Sequence, residues 1–345
     1  MHWHKYFALD KFDRGPKGWV PHVREGMDPA KAPPVELPWN HPGLSIVLAP
    51  ILWGFRGSTS LEPAALAVSA LMILVAAWAF RRLAFHESKD QAIANTLTLA
   101  VFLGSPLWFY GRTLVSEPWV VGCVTMAYCM ARVDQRYVLA GLFAGLTLFI
   151  KPVAALLIMP LLVSVLLTRK LVPILKVSIG PALGLAGLMY LQFSLYHGQS
   201  APDFDKANFL HGLIITFLWP SRGLLSTAPV MAVAILGWPR LVKGDRWFWA
   251  PLIAMALYIC TMAWFRDTQG GASYAMRYHV ALLPLLGLGL IPLWKDAQTQ
   301  PVARTVIVSI MLLSILIGTM ACIETWRAWD SHPLEMWIRP IVDIR

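Results

Sequence analysis

Ten apolar runs, at about 64–80, 91–110, 119–131, 137–150, 152–168, 174–196, 223–241, 247–265, 276–294 and 303–323, fill most of the chain beyond residue 60. An α-helix needs roughly 20 apolar residues to cross a bilayer core of about 30 Å, and each run reaches or nearly reaches that length. With no water in lipid to bond the backbone, apolar runs of this kind fold as helices. The expected fold is therefore all-α, a polytopic membrane helix bundle of about 10 transmembrane helices. The shorter run 43–56 (GLSIVLAPILWGFR) reads as an interfacial or re-entrant helix. Residues 1–57 then form an outer-face loop with that helix, 58–324 the bundle, and 325–345 an outer-face tail.

Composition agrees. Of 345 residues, 57% are hydrophobic and 14% charged, against about 25% charged in soluble domains. Sixteen tryptophans, many beside charged residues, suit membrane–water boundaries. The net charge of +10 reflects basic loops and anionic headgroups rather than nucleic acid, since no Walker loop, zinc-finger spacing or basic soluble stripe is present. Cys123, Cys129, Cys260 and Cys322 all fall inside apolar runs, which argues against a disulfide framework.

Alternate connections carry twelve Lys and Arg residues, in 81–90, 132–136, 168–170, 239–246 and 295–304, against five acids. The positive-inside rule places these loops in the cytoplasm and the longer polar segments on the outer face of the inner membrane. The N-terminal 43 residues, with six Lys and Arg, would then have to cross unaided. That predicts a membrane helix upstream of Met1.

Helices entering from the outer face open on charge: Glu62-Pro63, Glu117-Pro118, Lys151-Pro152, Arg222-Gly223 and Arg277-Tyr278. An acid followed by proline suits a helix start. Cations there oppose the helix dipole, so Lys151, Arg222 and Arg277 point to an anion at the membrane boundary, with snorkelling to lipid headgroups as the simpler alternative. Arg112 and Glu117 share one short turn, where the acid is open to pairing, capping or general-base work. His279 is expected to hydrogen-bond within the bundle. His2 and His4 with Asp10 and Asp13 lack any metal motif, and 203–209 (DFDKANF) reads as a solvated loop.

In order and spacing, these segments resemble the membrane glycosyltransferases that take sugars from polyprenyl-phosphate carriers, the protein O-mannosyltransferase and lipid A aminoarabinose transferase type of glycosyltransferase family 39. The segments are PHVREG at 21–26 with PWNHPGLSIVLAPILWGF at 38–55, SPLWFYGRTLVSEPW at 105–119, GLTLFIKPVAALLIMPLL at 145–162, SRGLLSTAPVMAVAILG at 221–237, and WFRDTQGGASYAMRYHVALLPLL at 264–286. The resemblance spans roughly residues 20 to 290 and implies a GT-C-like fold. It implies sugar transfer at the periplasmic or exterior face, with acceptor protein or glycolipid and membrane lipids as partners. Arg277, helped by Lys151, Arg222 and Arg112, would bind the donor phosphate; His41 and Tyr278 would contact substrate; Glu117 is the candidate catalytic acid. No cofactor is implied, and a divalent metal is left open. Such enzymes carry an acidic pair, commonly Asp-Glu, before the point where this chain opens (MHWHKYFALDKFD), and Asp10 and Asp13 do not match it. A truncated or inactive protein is therefore one expectation. A transporter or flippase for a lipid-linked or anionic solute, or a non-catalytic subunit, is the alternative.

Overall fold

The computed structural model describes residues 12–15, 18–21, 43–55, 60–167, 170–194, 209–219, 222–264, 275 and 277–323. A small antiparallel hairpin, β1 (Phe12–Gly15) and β2 (Gly18–Pro21), comes first. The body is all-helical: α1 (Gly43–Leu52), α2 (Leu61–Ser88), α3 (Gln91–Leu103), α4 (Leu107–Tyr110), α5 (Glu117–Arg132), α6 (Tyr137–Ile150), α7 (Ala155–Leu166) and α8 (Leu171–Ser194). It continues through α9 (Phe209–Leu218), α10 (Leu224–Thr227), α11 (Pro229–Gly244), α12 (Trp249–Ala263), α13 (Leu283–Gly287), α14 (Leu290–Ala297) and α15 (Pro301–Ile323).

Four helical segments among the described residues are long and apolar enough to cross a membrane: 61–88, 171–191, 246–263 and 301–323. A fifth crossing results if the 277–287 and 290–297 segments, bent by 46°, count as one. Of the other apolar runs, 91–110, 152–168 and 223–241 are shorter as helices than as sequence, whereas α5 and α6 match or exceed theirs. The run 91–110 breaks at Gly104-Ser105-Pro106, because proline removes a helical donor and clashes with the preceding turn. At 1.5 Å per residue the 13-residue α3 covers about 20 Å, less than the hydrocarbon core. The expected outer loop 197–222 contains a helix, α9, whose Gly212 lies directly against the Ala263 carbonyl of α12. Its apolar stretch, FLHGLIITFL, was hidden in sequence by the polar residues before it. Large apolar side chains such as Leu74, Leu167, Leu183, Leu236 and Leu312 are exposed around the body, an outer surface suited to lipid.

Local chemistry sets the helix ends. Asp90 caps α3, its carboxylate accepting from the N–H groups of Ala92 and Ile93 at 2.7 and 3.1 Å. Lys89 closes α2 in the left-handed conformation, φ 60°. Helices α6 and α8 approach closely, where Gly141 and Gly145 face Gly180 and Gly184. A Cβ on any of these four would collide with backbone across the interface. That is the small-xxx-small contact that lets membrane helices approach.

Four of the five basic loops, 81–90, 132–136, 239–246 and 295–304, are bonded together at one end of the bundle. Arg82 clamps Asp134 with two bonds of 2.7 and 2.8 Å, and Arg240 reaches Asp296 at 2.7 Å. Arg132 joins three helices: its Nε donates to Glu87 at 2.9 Å, a second nitrogen donates to Asp245, and its guanidinium lies 4.9 Å from the Trp247 ring centre. Asp245 also accepts from the Trp247 N–H at 2.8 Å. Partial burial acts to raise the Asp245 pKa, but the Trp247 N–H and Arg132 outweigh it and hold the carboxyl below its ordinary range. A depressed folded-state pKa means that the stabilisation is complete above the ordinary value of about 3.9 and is lost as pH falls through the lower folded one. The unfolding midpoint of the wild type is expected to exceed that of Asp245→Asn at neutral pH. The gap should close on acidification below about pH 4; a gap that stayed constant with pH would show the pair to be inert.

Candidate functional site

Three helix breaks meet at the opposite end from the basic loops, and each supplies one charged side chain. α5 starts at Glu117-Pro118, proline fitting the first turn where its missing N–H costs nothing. α6 stops at Lys151, which is extended (φ −145°, ψ 94°), before the 3-10 turn Pro152–Ala154. The third break opens the 3-10 segment Arg277–Leu282, two residues after Ala275, whose φ of 54° is uncommon for a residue other than glycine.

Glu117 is fully buried. Lys151 Nζ and Arg277 Nε each donate to the same oxygen, Oε1, at 2.9 Å. Ser116 Oγ stands 3.4 Å from the other oxygen. The Lys151 ammonium also lies 4.9 Å from the Tyr278 ring centre, a cation–π contact. Of the three roles open to Glu117, pairing is the one observed. Two cations share one carboxylate, which among the described residues leaves one positive charge in excess in a largely buried setting.

Unsatisfied polar groups lie beside this cluster. His279, buried and two residues from Arg277, has no hydrogen-bond partner at either ring nitrogen among the described residues. The bonding expected of it within the bundle is absent there, because its neighbour is an aromatic edge. The Tyr258 ring on α12 stands at 82° to it, 6.4 Å between centres. The Tyr258 hydroxyl is likewise unpartnered, as is the indole nitrogen of Trp119. Buried polar atoms left without partners cost about 1–3 kcal/mol each, so a group of them implies water or a ligand.

The structure brings together Glu117, Lys151, Arg277 and Tyr278, and two further candidates make no hydrogen bond to Glu117. Arg112 Nη1 donates to the Cys322 carbonyl, closing the last turn of α15, so it serves a helix end. Arg222 is buried in the turn between α9 and α10, and the hydrogen bonds of Glu117 do not include it. His41, Gly270, Gly271, His2, His4, Asp10 and the 203–208 stretch lie outside the described residues, and Asp13 falls in β1. Among the described residues no cluster of three His, Cys, Asp or Glu could hold a metal. Tyr258 was not foreseen, since one tyrosine in an apolar run gives no sign of what it meets.

Neither Lys151 nor Arg277 stands at the start of an α-helix. Lys151 sits at the C-terminal end of α6, where a cation is favoured. Arg277 opens a short 3-10 turn rather than an α-helix. Their anomaly rests on burial and on being two against one carboxylate.

These features define a helical protein with several membrane-length apolar helices and a buried, positively charged cluster at one end. Comparison with family models, with curated proteins and with solved structures gives no match.

Proposed function

We propose that the chain is an integral membrane glycosyltransferase, moving a sugar from a polyprenyl-phosphate donor to an acceptor protein or glycolipid. In this proposal the bundle is GT-C-like with ten crossings, some by short or broken helices. The Glu117 end faces the periplasm or exterior, and the basic end faces the cytoplasm. The observation that carries it is the buried excess of positive charge where Lys151 and Arg277 meet Glu117. A phosphate supplies the charge the cluster lacks, and the unpartnered atoms of His279 and Tyr258 offer hydrogen bonds to a polar substituent on it.

Glu117 then acts as an anchor rather than as base, since its Oε1 carries both cations. During transfer the bond from the sugar's anomeric carbon to phosphate oxygen breaks. The acceptor oxygen bonds that carbon, its proton passes to water or to the departing phosphate, and polyprenyl phosphate leaves. Lys151 and Arg277 stabilise the charge growing on the leaving phosphate, the electrostatic task that contributes most in such reactions.

The test uses membranes holding the full chain and a polyprenyl-phosphate sugar labelled in the sugar. Label should pass to acceptor, and Arg277→Gln should slow it by on the order of 100-fold, as loss of one charge-stabilising donor does. One observation favours a second reading. The segment opening at Arg277 is half of the pair bent by 46°, and broken helices with charged ends also line transporter sites. Uptake of an anionic solute into vesicles with no sugar transfer would select that reading.

A further inference from the structure

At the end of the bundle away from Glu117, α11 and α12 diverge around an open groove of about 480 Å³, lined by Ile235, Trp238, Pro239, Val242, Lys243, Trp249 and Leu252. Trp238 forms its floor, fixed by an indole N–H bond of 3.0 Å to the Leu286 carbonyl. The walls are apolar, and α12 belongs to a segment of membrane-crossing length and composition, Arg246–Ala263. Lipid chains therefore reach the groove from the side.

Charge at its mouth narrows the occupant. Lys243 and Arg246 are exposed and form no ion pair among the described residues. The acid between them, Asp245, is engaged by Arg132 and the Trp247 N–H. Lys243 thus stands at the rim with no ion pair among the described residues, beside Trp249, which is 51% exposed where an indole suits the membrane–water boundary, and the exposed Arg246 lies three residues from each in the chain. We propose that this groove is a binding site for a phospholipid with an anionic headgroup. Its acyl chain lies along Ile235, Val242 and Leu252, and its phosphate meets Lys243 and Arg246. A zwitterionic lipid brings its own cation to the same rim and fits less well. The site is independent of the Glu117 cluster and of the reaction proposed for it.

The experiment places the full chain in phosphatidylcholine nanodiscs and adds either phosphatidylglycerol or phosphatidylcholine with brominated acyl chains, which quench nearby tryptophan. The signal of Trp249 is isolated by subtracting a Trp249→Phe variant. Half-quenching should need on the order of tenfold less brominated phosphatidylglycerol than phosphatidylcholine, the scale expected for two cations near an anionic headgroup. The double variant Lys243→Gln, Arg246→Gln should erase that preference, and Lys243→Arg, Arg246→Lys should keep it. Equal quenching by both lipids in the wild type, or a preference surviving the glutamine variant, overturns the proposal.

Discussion

Replacing Glu117 with leucine is expected to cost about 3–5 kcal/mol of stability, the range for removing one partner of a buried charged pair. The cost comes from what remains. Lys151 and Arg277 both bond one oxygen, so without the carboxylate their nitrogens lie no farther apart than two 2.9 Å bonds end to end. Like charges that close in a site this buried must be pried apart or hydrated. The converse change, Lys151→Met, leaves one acid against one guanidinium and should cost only about 1.5–3 kcal/mol, the scale of a charge-assisted hydrogen bond. Denaturant unfolding of the detergent-solubilised protein gives the order directly. Glu117→Leu falls well below Lys151→Met in midpoint if the cluster is an electrostatic unit; equal midpoints would mean that packing alone holds it.

A second large loss is expected from Gly180→Leu. At that position the α8 backbone rests on the Gly141 carbonyl of α6, so a side chain has no flexible neighbour to displace. Overpacking costs 1–3 kcal/mol where side chains can adjust, and about 3 kcal/mol or more is expected here because a whole helix must move. The separation can be read from a disulfide crosslink engineered between α6 and α8, which should form in the wild-type background and fail in Gly180→Leu. Gly244→Ala is the control, since nothing lies within 4 Å of the added carbon; its effect should stay within about 0.5 kcal/mol. A crosslink that survived Gly180→Leu would contradict the close approach of these helices.

The all-helical body was legible because apolar runs leave the backbone few alternatives in lipid. The shared end of four of the basic loops was legible too, in the alternation of Lys and Arg, and it reappears as the bonds of Arg82, Arg132 and Arg240. Helix lengths were not. Hydropathy averages over breaks such as Gly104-Ser105-Pro106, and it misses α9 behind its polar lead. Neither was the G-x-x-x-G contact used, although Gly141, Gly145, Gly180 and Gly184 carry the spacing openly. For the site, charge at helix starts singled out Glu117, Lys151 and Arg277, but their convergence on one oxygen depends on which breaks meet in space. Arg112, singled out by its place in the Glu117 turn and by the resemblance, has as partner a backbone carbonyl 210 residues away in the chain. Periodicity carries no information about such a contact, and none about the aromatic edge beside His279.

Binding of a lipid-borne phosphate at the Glu117 end is the proposal on which the functional reading rests. It is tested most directly by comparing undecaprenyl phosphate with undecaprenol, the same chain without the phosphate, in native mass spectrometry of the full protein. Undecaprenyl phosphate is predicted to be retained at least tenfold better by the wild type. Arg277→Gln and Lys151→Met should each remove most of that difference while leaving undecaprenol unchanged, since a charged hydrogen bond contributes about 1.5–3 kcal/mol. Equal retention of the two lipids by the wild type, or a preference untouched by both substitutions, would contradict the claim.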